Sequence, residues 1–369
     1  MKTFRTAIIH DSLNQRGGAE RVVLALCKAF PDSDIITSTF DAKKTYPDFS
    51  KMKVVPLLHK RLNFLPLSVL TPLLPYLFKH VNLKNYDLVI VSTSSAAHFS
   101  SFKHSNVIAY AHNTPRWLYQ VKDFEIGLSW PKKLIASFLR SHYKKADFNA
   151  ASRVRLYFGN SKGTCKRIQE SYLRSAILLN PPMILEESVK KLGEPKSNYL
   201  LNVSRARGYK NVQKIVDVAL ALKQSLVIVG NETEFENQGD PGQIRVVSDL
   251  SDSELSDLYR NAKLLVCAAE EDFGLTPIEA NYFGVPVVAP ASGGYLETVI
   301  DGKTGILAET SSTDHLISAV NIALQATFSA TDLYAHASQF SFEKFREKLF
   351  EAIQSHEFPN DRFGHDRRI

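Results

Sequence analysis

The sequence predicts an α/β protein made of two Rossmann-like domains, each a doubly wound parallel sheet covered by helices. A chain of 369 residues is too long for one ordinary hydrophobic core, so two domains are expected. Short apolar runs rich in Val and Ile alternate with helical stretches along the chain, as in parallel sheets that are buried on both faces. The runs fall into two sets, separated by a polar segment with Pro, Gly and repeated charges at residues 181–198.

Each set contains several predicted strands. They are residues 6–10, 35–39, 88–92, 106–111 and 156–160 in the first half, and 199–203, 226–230, 244–247, 264–267 and 285–289 in the second. Helices are predicted between strands at 18–30, 212–223 and 252–261. The last of these opens with a capping box formed by Ser251 and Glu254. Strands that alternate with helices in this way indicate one parallel sheet in each half.

The domain boundary is predicted at the two prolines that follow Asn180. We expect an N-terminal domain over residues 1–180 and a C-terminal domain over 181–340. Residues 341–369 should supply a helix at 342–354 that packs back toward the N-terminal domain, followed by a charged tail. Two such domains facing each other would leave a cleft between the carboxyl ends of their strands, which is where ligands bind in these folds.

Charge is distributed unevenly between the two halves. The net charge of the chain is +7, but residues 1–180 carry 27 Lys and Arg against 11 Asp and Glu, whereas the remainder carries 18 against 27. A strongly basic half suits an anionic substrate, nucleic acid or an anionic membrane surface. Zinc-finger spacing, RNP-type aromatic motifs and basic heptad helices are all missing from the sequence, so nucleic acid is the disfavoured partner.

The cysteines and the N-terminus indicate a cytoplasmic protein. Cys27, Cys165 and Cys267 are far apart and have neither metal-ligand spacing nor the even number of a disulfide framework. The sequence begins with no signal peptide and contains no apolar run of the roughly 18 residues that span a membrane. We therefore expect a cytoplasmic protein, with peripheral binding to the inner face of the membrane as an open alternative.

Two segments bear on that alternative. Residues 131–145 have an amphipathic helical pattern with basic residues between its apolar positions Leu134, Ile135, Phe138, Leu139 and His142. Residues 62–78 form an apolar run broken by prolines. Each segment could pack on the core with a solvated face, or lie on a membrane surface.

The stretch from Glu271 to Glu279 is the most informative part of the sequence. Its two carboxylates stand eight residues apart, with Gly274 between them and a predicted helix over 278–283. A strand, a glycine turn and a helix N-terminus present backbone N–H groups to an anion. The carboxylates can accept hydrogen bonds from hydroxyl groups. This combination suits a phosphorylated sugar. The structural alternative is a capping box, with Thr276 as N-cap, Pro277 at N1 and Glu279 at N3.

Other candidate residues also follow predicted strands. Arg205 and Lys210 lie beyond residues 199–203 and could clamp a diphosphate, with Arg207 as a competitor, or belong to a solvated loop. His112 ends the strand at 106–111, and could be structural or face a ligand.

The end of the first strand and the helix after it supply further candidates. His10 and Asp11 close that strand and could also reach the cleft. Gly17 and Gly18 precede the helix at 18–30, where they either form a plain turn or let the backbone approach a ligand. Asp32 and Asp34 lie at the opposite end of the sheet, so we predict no metal site.

Taken together, these residues resemble a known family through nearly the whole chain. Glu271 and Glu279 with Phe273 and Gly274 resemble the E-x7-E motif of the retaining GT-B glycosyltransferases of family 4. Further matching segments are His10-Asp11 with Gly17-Gly18-Ala19-Glu20-Arg21, Tyr110 to Arg116, Gly159-Asn160-Ser161, Val203 to Arg205 with Lys210-Asn211, and Gly284 to Gly305 with Gly293 and Gly294. The segment from Tyr110 to Arg116 is similar to one found among mannosyltransferases of this group.

The resemblance implies a role for each matching residue. Arg205 and Lys210 hold the donor diphosphate and stabilise the leaving group, and Glu271 addresses the donor sugar, while His112 lies near the transferred sugar. The remaining donor-binding residues are Gly17, Gly18, Phe273, Gly274, Leu275, Thr276 and Glu279, of which Glu279 holds the ribose hydroxyls. Asp272 departs from the family pattern, which often has Gly, and could alter the choice of sugar.

The resemblance also implies a reaction. The protein would be a metal-independent, retaining hexosyltransferase without a cofactor, using GDP-mannose or a UDP-hexose. Its N-terminal domain would bind a glycan or lipid-linked acceptor of polysaccharide or glycolipid synthesis, and its C-terminal domain the nucleotide sugar. The alternatives are a GT-B sugar-nucleotide epimerase, a sucrose- or starch-type synthase, and a non-catalytic protein that binds sugar nucleotides.

Overall fold

The computed structural model describes residues 5–58, 70, 73–104, 106–121, 129–184, 198–204, 211–231 and 233–356. The side chains at positions 131, 132, 135, 136 and 139 are outside this description. The chain divides into two compact units, of which one comprises Met1–Pro181 with Phe345–Ile369 and the other Pro182–Lys344.

The first unit is built on a parallel sheet of seven strands among its described residues, in the order β3-β2-β1-β4-β5-β6-β7. The strands are β1 (Thr6–His10), β2 (Asp34–Thr37), β3 (Val54–Pro56), β4 (Leu88–Thr93), β5 (Val107–Ala111), β6 (Leu156–Gly159) and β7 (Ile177–Leu178). Every residue of β1, β4 and β5 is buried, because helices cover both faces of a doubly wound sheet.

The α-helices of this unit separate its strands. They are α1 (Gly18–Ala29), α2 (Leu74–Lys79), α3 (Arg116–Tyr119), α4 (Trp130–Ser152) and α5 (Lys162–Tyr172). Short 3₁₀ helices occupy Pro47–Lys51 and Ala97–Phe102. The core beneath them is formed by apolar residues of both strands and helices, with Tyr157 of β6 and Phe78 of α2 among its largest fully buried side chains.

The second unit repeats this plan with a parallel sheet of six strands in its described part, in the order β10-β9-β8-β11-β12-β13. The strands are β8 (Tyr199–Val203), β9 (Ser225–Val229), β10 (Ile244–Val247), β11 (Leu264–Val266), β12 (Val287–Pro290) and β13 (Gly305–Ala308). The α-helices are α6 (Val212–Ala221), α7 (Asp252–Asn261), α8 (Leu275–Tyr282), α9 (Tyr295–Thr298), α10 (Thr313–Gln325) and α11 (Ala330–Ala337). The 3₁₀ helices are Thr233–Asn237 and Ser338–Phe340.

A last helix, α12 (Phe342–Ser355), packs on the first unit through aromatic contacts. The rings of Phe350 and Phe30 are 5.2 Å apart, and those of Phe345 and Tyr110 are 6.1 Å apart. Nη2 of Arg155 also donates to the carbonyl of His356 at 3.2 Å.

The predicted fold class is confirmed in both units, because each is built on a Rossmann-like parallel sheet. β1, β8 and β10 begin and end where the sequence predicts, and the capping box at Ser251 and Glu254 is present. The sequence analysis missed β3, β7 and β13, which have three, two and four residues and lie at sheet edges. Such short edge strands leave little periodic signal.

The strand order places the candidate residues. In each sheet the chain winds outward in both directions from a central pair, β1 with β4 in the first unit and β8 with β11 in the second. The carboxyl ends of such a central pair form a topological switch point, where doubly wound sheets bind ligands. In the part of the chain that is described, no helix combines the length and apolarity needed to cross a membrane.

Candidate functional site

The loop from β11 to α8 carries the acidic candidates of the second unit. Gly274 is the N-cap of α8, with φ of 86° and ψ of 82°. A positive φ is readily adopted by glycine, so the chain turns there and the helix starts at once with Leu275. The predicted capping box is therefore wrong, because Thr276 is the second residue of the helix and Glu279 the fifth.

Glu279 is held inside the unit instead of capping the helix. It is 4 % exposed, and its Oε2 accepts a hydrogen bond of 2.8 Å from the Tyr259 hydroxyl. Tyr259 in turn stacks on Phe283 with ring centroids 5.8 Å apart. A buried carboxylate oriented by a tyrosine is a preorganised acceptor for ligand hydroxyl groups.

Two glycines downstream explain how the Glu271 loop is shaped. The N–H group of Gly294 donates to the Glu271 carbonyl at 2.8 Å. A Cβ on Gly293 would lie 2.5 Å from that carbonyl oxygen, and a Cβ on Gly294 would lie 2.2 Å from Cα of Phe273. No other residue type allows this close backbone packing. The Phe273 side chain belongs to the core, 5.7 Å from the Phe340 ring, so a ligand contact of Phe273 would use its backbone.

Asparagine side chains tie the ends of β8 and β11 together. Asn202 donates from Nδ2 to the Val266 carbonyl at 2.9 Å, and Asn211 donates to the Ala268 carbonyl at 3.2 Å. Ser204, at the end of β8, donates to Oδ1 of Asn202 at 2.5 Å. The sequence analysis did not single out Asn202, although an amide inside an apolar strand is a usable signal.

The cationic candidates follow Ser204 directly. Arg205, Arg207 and Lys210 lie outside the described residues. The residues that flank them, Ser204 and Asn211, stand at the carboxyl end of β8, beside the switch point.

The candidates of the first unit meet at the carboxyl ends of β1, β4 and β5. The register pairs His10 with Ser92, and Thr93 with Ala111, directly before His112. His10 Nδ1 lies 3.0 Å from the Ser92 carbonyl oxygen, and Ser92 Oγ lies 2.8 Å from His112 Nε2. All three side chains are buried. The structure therefore joins the two predicted histidines through a serine that sequence reasoning missed.

Glu20 connects this cluster to the glycine turn. Gly17 is the N-cap of α1 and Gly18 its first residue, which places Glu20 in the first turn. Glu20 is 1 % exposed, and its Oε1 lies 3.8 Å from His10 Nε2 and accepts a 2.9 Å hydrogen bond from Gln15. A glutamate in a first helical turn usually serves the helix dipole, so the sequence offered no sharper signal.

These contacts shift the pKa values of the two histidines in opposite directions. Burial by itself would lower the pKa of His10, but the adjacent Glu20 carboxylate raises it above its ordinary value. Burial opposes ionisation of Glu20 as well, yet His10 brings the pKa of that carboxyl below its usual range. Burial, followed by the charge on His10, lowers the pKa of His112 to about 3. At neutral pH His112 is therefore uncharged, whereas the Glu20 carboxylate favours the charged form of His10.

The backbone around His112 is anchored from two sides. Its N–H group donates to the Thr93 carbonyl at 2.9 Å, and its carbonyl accepts from the Thr164 hydroxyl at 3.2 Å. The N-cap of α5, Ser161, accepts from the Thr164 N–H group at 3.1 Å. The position of His112 is thus determined by β4 and α5 as well as by its own strand.

Asp11 was a candidate to reach the cleft. Its carboxylate is instead hydrogen-bonded to neighbouring groups of the first unit. Its carboxylate accepts the Thr93 hydroxyl and four consecutive backbone N–H groups, from Ser94, Ser95, Ala96 and Ala97, at 2.7–3.2 Å. The carboxylate therefore fills an anion site at the start of the 3₁₀ helix Ala97–Phe102. Among the described residues, no group of three or more His, Cys, Asp or Glu side chains could hold a metal ion.

Parts of the chain match a known family and several curated proteins. Residues 185–352 match the model of the family Glycosyl transferases group 1, so this part of the chain is a glycosyltransferase group 1 domain. The chain is 36% identical over 91 residues to an α-1,3/1,6-mannosyltransferase of Dictyostelium discoideum, covering 23% of this chain and 21% of that protein. It is 32% identical over 121 residues to a D-inositol 3-phosphate glycosyltransferase of Rhodococcus erythropolis, covering 31% and 27%.

The solved structures show similarity over nearly the full length. The Anabaena protein HepE, in complex with UDP-glucose, superposes with a TM-score of 0.72 at 18% identity, covering 95% of this chain and 99% of that protein. At this identity the likeness establishes the fold. By contrast, the chain spans only about a quarter of the length of the two curated relatives above.

Proposed function

We propose that the protein is a retaining, metal-independent glycosyltransferase of the family 4 type. It transfers a hexose from a nucleotide-sugar donor to a glycan or lipid-linked acceptor in polysaccharide or glycolipid synthesis. The observation that carries this proposal is the buried Glu279, oriented by Tyr259 in the glycosyltransferase group 1 domain. Because Tyr259 orients this carboxylate as a hydrogen-bond acceptor, ribose hydroxyl groups are the proposed ligand of Glu279.

The donor phosphates are proposed to bind at the second switch point. The N-terminus of α8 supplies backbone N–H groups that have no acceptor within the helix, and the positive end of a helix dipole. Arg205 and Lys210, which follow β8, would add fixed positive charge. When the glycosidic bond to the diphosphate breaks, negative charge grows on the leaving nucleotide, and these groups stabilise it.

The acceptor and the transferred sugar are assigned to the first unit. His112 would contact the sugar, while Gly17 and Gly18 would approach the phosphates and the acceptor. Retention is proposed to follow from attack by the acceptor hydroxyl on the same face that the diphosphate leaves. A mannose donor, GDP-mannose, is favoured by the Tyr110–Arg116 segment and by the mannosyltransferase relative. A UDP-hexose is the second candidate, since HepE is solved with UDP-glucose.

The exposed face of α4 supports peripheral membrane binding. Trp130, Leu134 and Phe138 are 73, 56 and 75 % exposed and follow one another at intervals of one helical turn. Other exposed residues on this face include Lys133, Ser137, Ser141, His142, Lys144 and Lys145. The structure contradicts a core-facing role for Leu134 and Phe138, whereas the side chains of Ile135 and Leu139 lie outside the described set.

The charge of α4 selects the partner that we propose for this face. The helix contains five Lys and Arg residues and one acidic residue, Asp147. Asp147 is buried, 2.8 Å from His98, and therefore leaves the exposed face basic. Large apolar side chains flanked by lysines suit an anionic lipid surface. They would insert into the boundary between the lipid headgroups and the acyl chains. Binding there would bring the enzyme to a lipid-linked acceptor.

The experiment that tests the transfer reaction combines binding and turnover. Thermal shifts should be measured with GDP-mannose, GDP, UDP-glucose, UDP-N-acetylglucosamine and UDP, each with and without EDTA. A ligand present at 100 times its dissociation constant stabilises a protein by about 2.7 kcal/mol. EDTA-insensitive stabilisation by one nucleotide family, followed by acceptor-dependent release of that nucleotide, is the expected result.

The alternatives predict other outcomes. An epimerase would change the sugar of the donor without an acceptor, and a sucrose- or starch-type synthase would require a soluble sugar or glucan acceptor. A non-catalytic binding protein would be stabilised by the nucleotide but would release none. Any of these results would contradict the proposed reaction.

A further inference from the structure

A cluster of buried polar side chains surrounds the candidate sugar contact His112. It consists of Glu20, His10 and Ser92 together with His112 itself. The rings of His10 and His112 are 6.2 Å apart and nearly perpendicular. Ser92 Oγ lies between them, 3.1 Å from His10 Nδ1 and 2.8 Å from His112 Nε2. A chain of buried polar groups therefore runs from the first turn of α1 to the end of β5.

Proton positions in this chain follow from its acceptors. His10 Nδ1 lies 3.0 Å from the Ser92 carbonyl oxygen, and a carbonyl oxygen only accepts. His10 must therefore carry a proton on Nδ1. Its other nitrogen, Nε2, faces the Glu20 carboxylate at 3.8 Å, so a proton there is stabilised as well. These two contacts favour the charged form of His10, in which both nitrogens are protonated.

Ser92 transmits this arrangement to His112. Because His10 Nδ1 donates, the Ser92 hydroxyl is left to donate its own proton. Within the described residues, its acceptor is His112 Nε2 at 2.8 Å. If Nε2 of His112 were protonated instead, the Ser92 hydroxyl would face two donors, and none of the described residues would accept its own proton. A neutral His112 that accepts at Nε2 carries its proton on Nδ1.

We propose that Glu20, His10 and Ser92 are positioning residues that fix His112 as the Nδ1–H tautomer, so that His112 donates a hydrogen bond to an oxygen of the bound sugar. The donor role rests on the proposed function, whereas the tautomer follows from the contacts inside the first unit. The oriented Ser–His contact limits ring rotation and selects one tautomer, as orienting partners do for catalytic histidines.

The surrounding groups favour the same arrangement. The Asp11 carboxylate also raises the pKa of His10. The Tyr110 ring lies 5.2 Å from that of His112, and burial raises the pKa of this phenol far above its usual range, so it stays neutral. Both charged partners of this cluster are buried, since Glu20 is 1 % exposed and His10 is 3 % exposed.

The test is nitrogen NMR of the full chain labelled with ¹⁵N-histidine, with His112 assigned by its loss in His112→Gln. We expect His112 to be neutral with its proton on Nδ1 between pH 5 and 8, and His10 to have both nitrogens protonated at neutral pH. Ser92→Ala should abolish the tautomer preference, and Ser92→Thr, which keeps the hydroxyl, should restore it. Glu20→Gln should lower the pH at which His10 loses its proton.

Turnover separates this inference from the proposed function. If the wild type transfers sugar, Ser92→Ala should lower kcat by about tenfold or more with little change in the donor KM, and Ser92→Thr should recover most of it. A proton on Nε2 of His112 in the wild type would overturn the positioning chain, whatever the activity. Absence of transfer together with the expected tautomer would support the chain and contradict only the proposed function.

Discussion

The Tyr259 hydroxyl donates a 2.8 Å hydrogen bond to Oε2 of the buried Glu279. This contact makes Glu279 an oriented acceptor and not a helix cap, although the helix begins only four residues earlier, at Leu275. It also links α7 to α8, the helix whose N-terminus is proposed to bind the donor phosphates.

Replacement of Glu279 should weaken donor binding more than folding. Glu279→Gln keeps the size of the side chain but removes the charge that a ribose hydroxyl would meet. Loss of one charge-assisted hydrogen bond costs about 1.5–3 kcal/mol, or roughly 10- to 100-fold in nucleotide affinity, measured by calorimetry. Lys210→Ala should have a similar effect. Glu254→Gln, which alters an exposed capping carboxylate of α7, is the control and should bind normally. Wild-type affinity in a folded Glu279→Gln variant would contradict the site.

The backbone contact between Gly294 and Phe273 should be required for the Glu271 loop. In Gly294→Ala the new Cβ would lie 2.2 Å from Cα of Phe273, and backbone atoms cannot move aside as a flexible side chain can. We expect a loss of about 1–3 kcal/mol in stability together with weaker nucleotide binding. Gly242→Ala is the control, because Gly242 also has a positive φ of 79° but no atom within 4 Å of its added Cβ. It should be destabilised by strain and still bind nucleotide. Equal ligand binding by both variants would refute the role of the loop contact.

Replacement of Asp11 should lower the stability of the protein without changing substrate binding. Asp11→Asn would turn an amide group toward backbone N–H groups, so part of the hydrogen bonding to Ser94–Ala97 is lost. Amide hydrogen exchange at these residues should accelerate by an amount equivalent to about 1.5–3 kcal/mol. Asp41→Asn, at a partly exposed carboxylate that accepts the Lys43 N–H group at 3.1 Å, is the matched control and should change local exchange little. Unchanged exchange in Asp11→Asn would mean that the carboxylate is not needed there.

The lowered pKa of His112 should make the protein sensitive to acid. In the unfolded chain this histidine takes up a proton near pH 6.5, whereas in the folded protein it does so only near pH 3. Between these values the unfolded state binds more protons, so stability falls as the pH falls, by at most about 1.4 kcal/mol per pH unit. Thermal melts of the wild type and His112→Gln from pH 7.5 to 4.5 measure this. The wild type should lose more stability than the variant on acidification, and parallel curves would contradict the burial of a neutral His112.

The apolar face of α4 should retain the protein on anionic vesicles. Leu134→Ser and Phe138→Ser remove side chains that are 56 and 75 % exposed, and full burial of such a side chain is worth about 1.5–3 kcal/mol. Each variant should sediment less with vesicles of phosphatidylglycerol and phosphatidylcholine at low salt. Ile322→Ser, which removes a 53 % exposed side chain from α10 of the other unit, is the control and should sediment like the wild type. Failure of the wild type to bind these vesicles would remove the membrane proposal.

The helix at Glu279 shows where sequence reasoning was correct and where it was not. The strand, the glycine turn and the helix were all predicted, because Val and Ile runs and a Gly–Thr–Pro sequence have strong local preferences. The starting residue of the helix was wrong, because the positive φ of Gly274 depends on how the turn packs against Tyr295 and the glycines at 293 and 294. The partner of Glu279 is 20 residues away in sequence, and no local pattern connects the two.

The sequence by itself determined the fold class, because its strand and helix periodicities, its turn glycines and its polar boundary are properties of short segments. It also singled out His10, His112 and Glu271, which lie near the ends of predicted strands, and Glu279, which lies in a predicted helix. Only the tertiary structure decided what these residues contact. Parallel strand order brings His10 beside Ser92, 82 residues away in the chain, and Ser92 beside His112, and it commits Asp11 to backbone amides. The reason is physical: charge states and hydrogen bonds depend on burial and distance between segments, which the folded sheet sets.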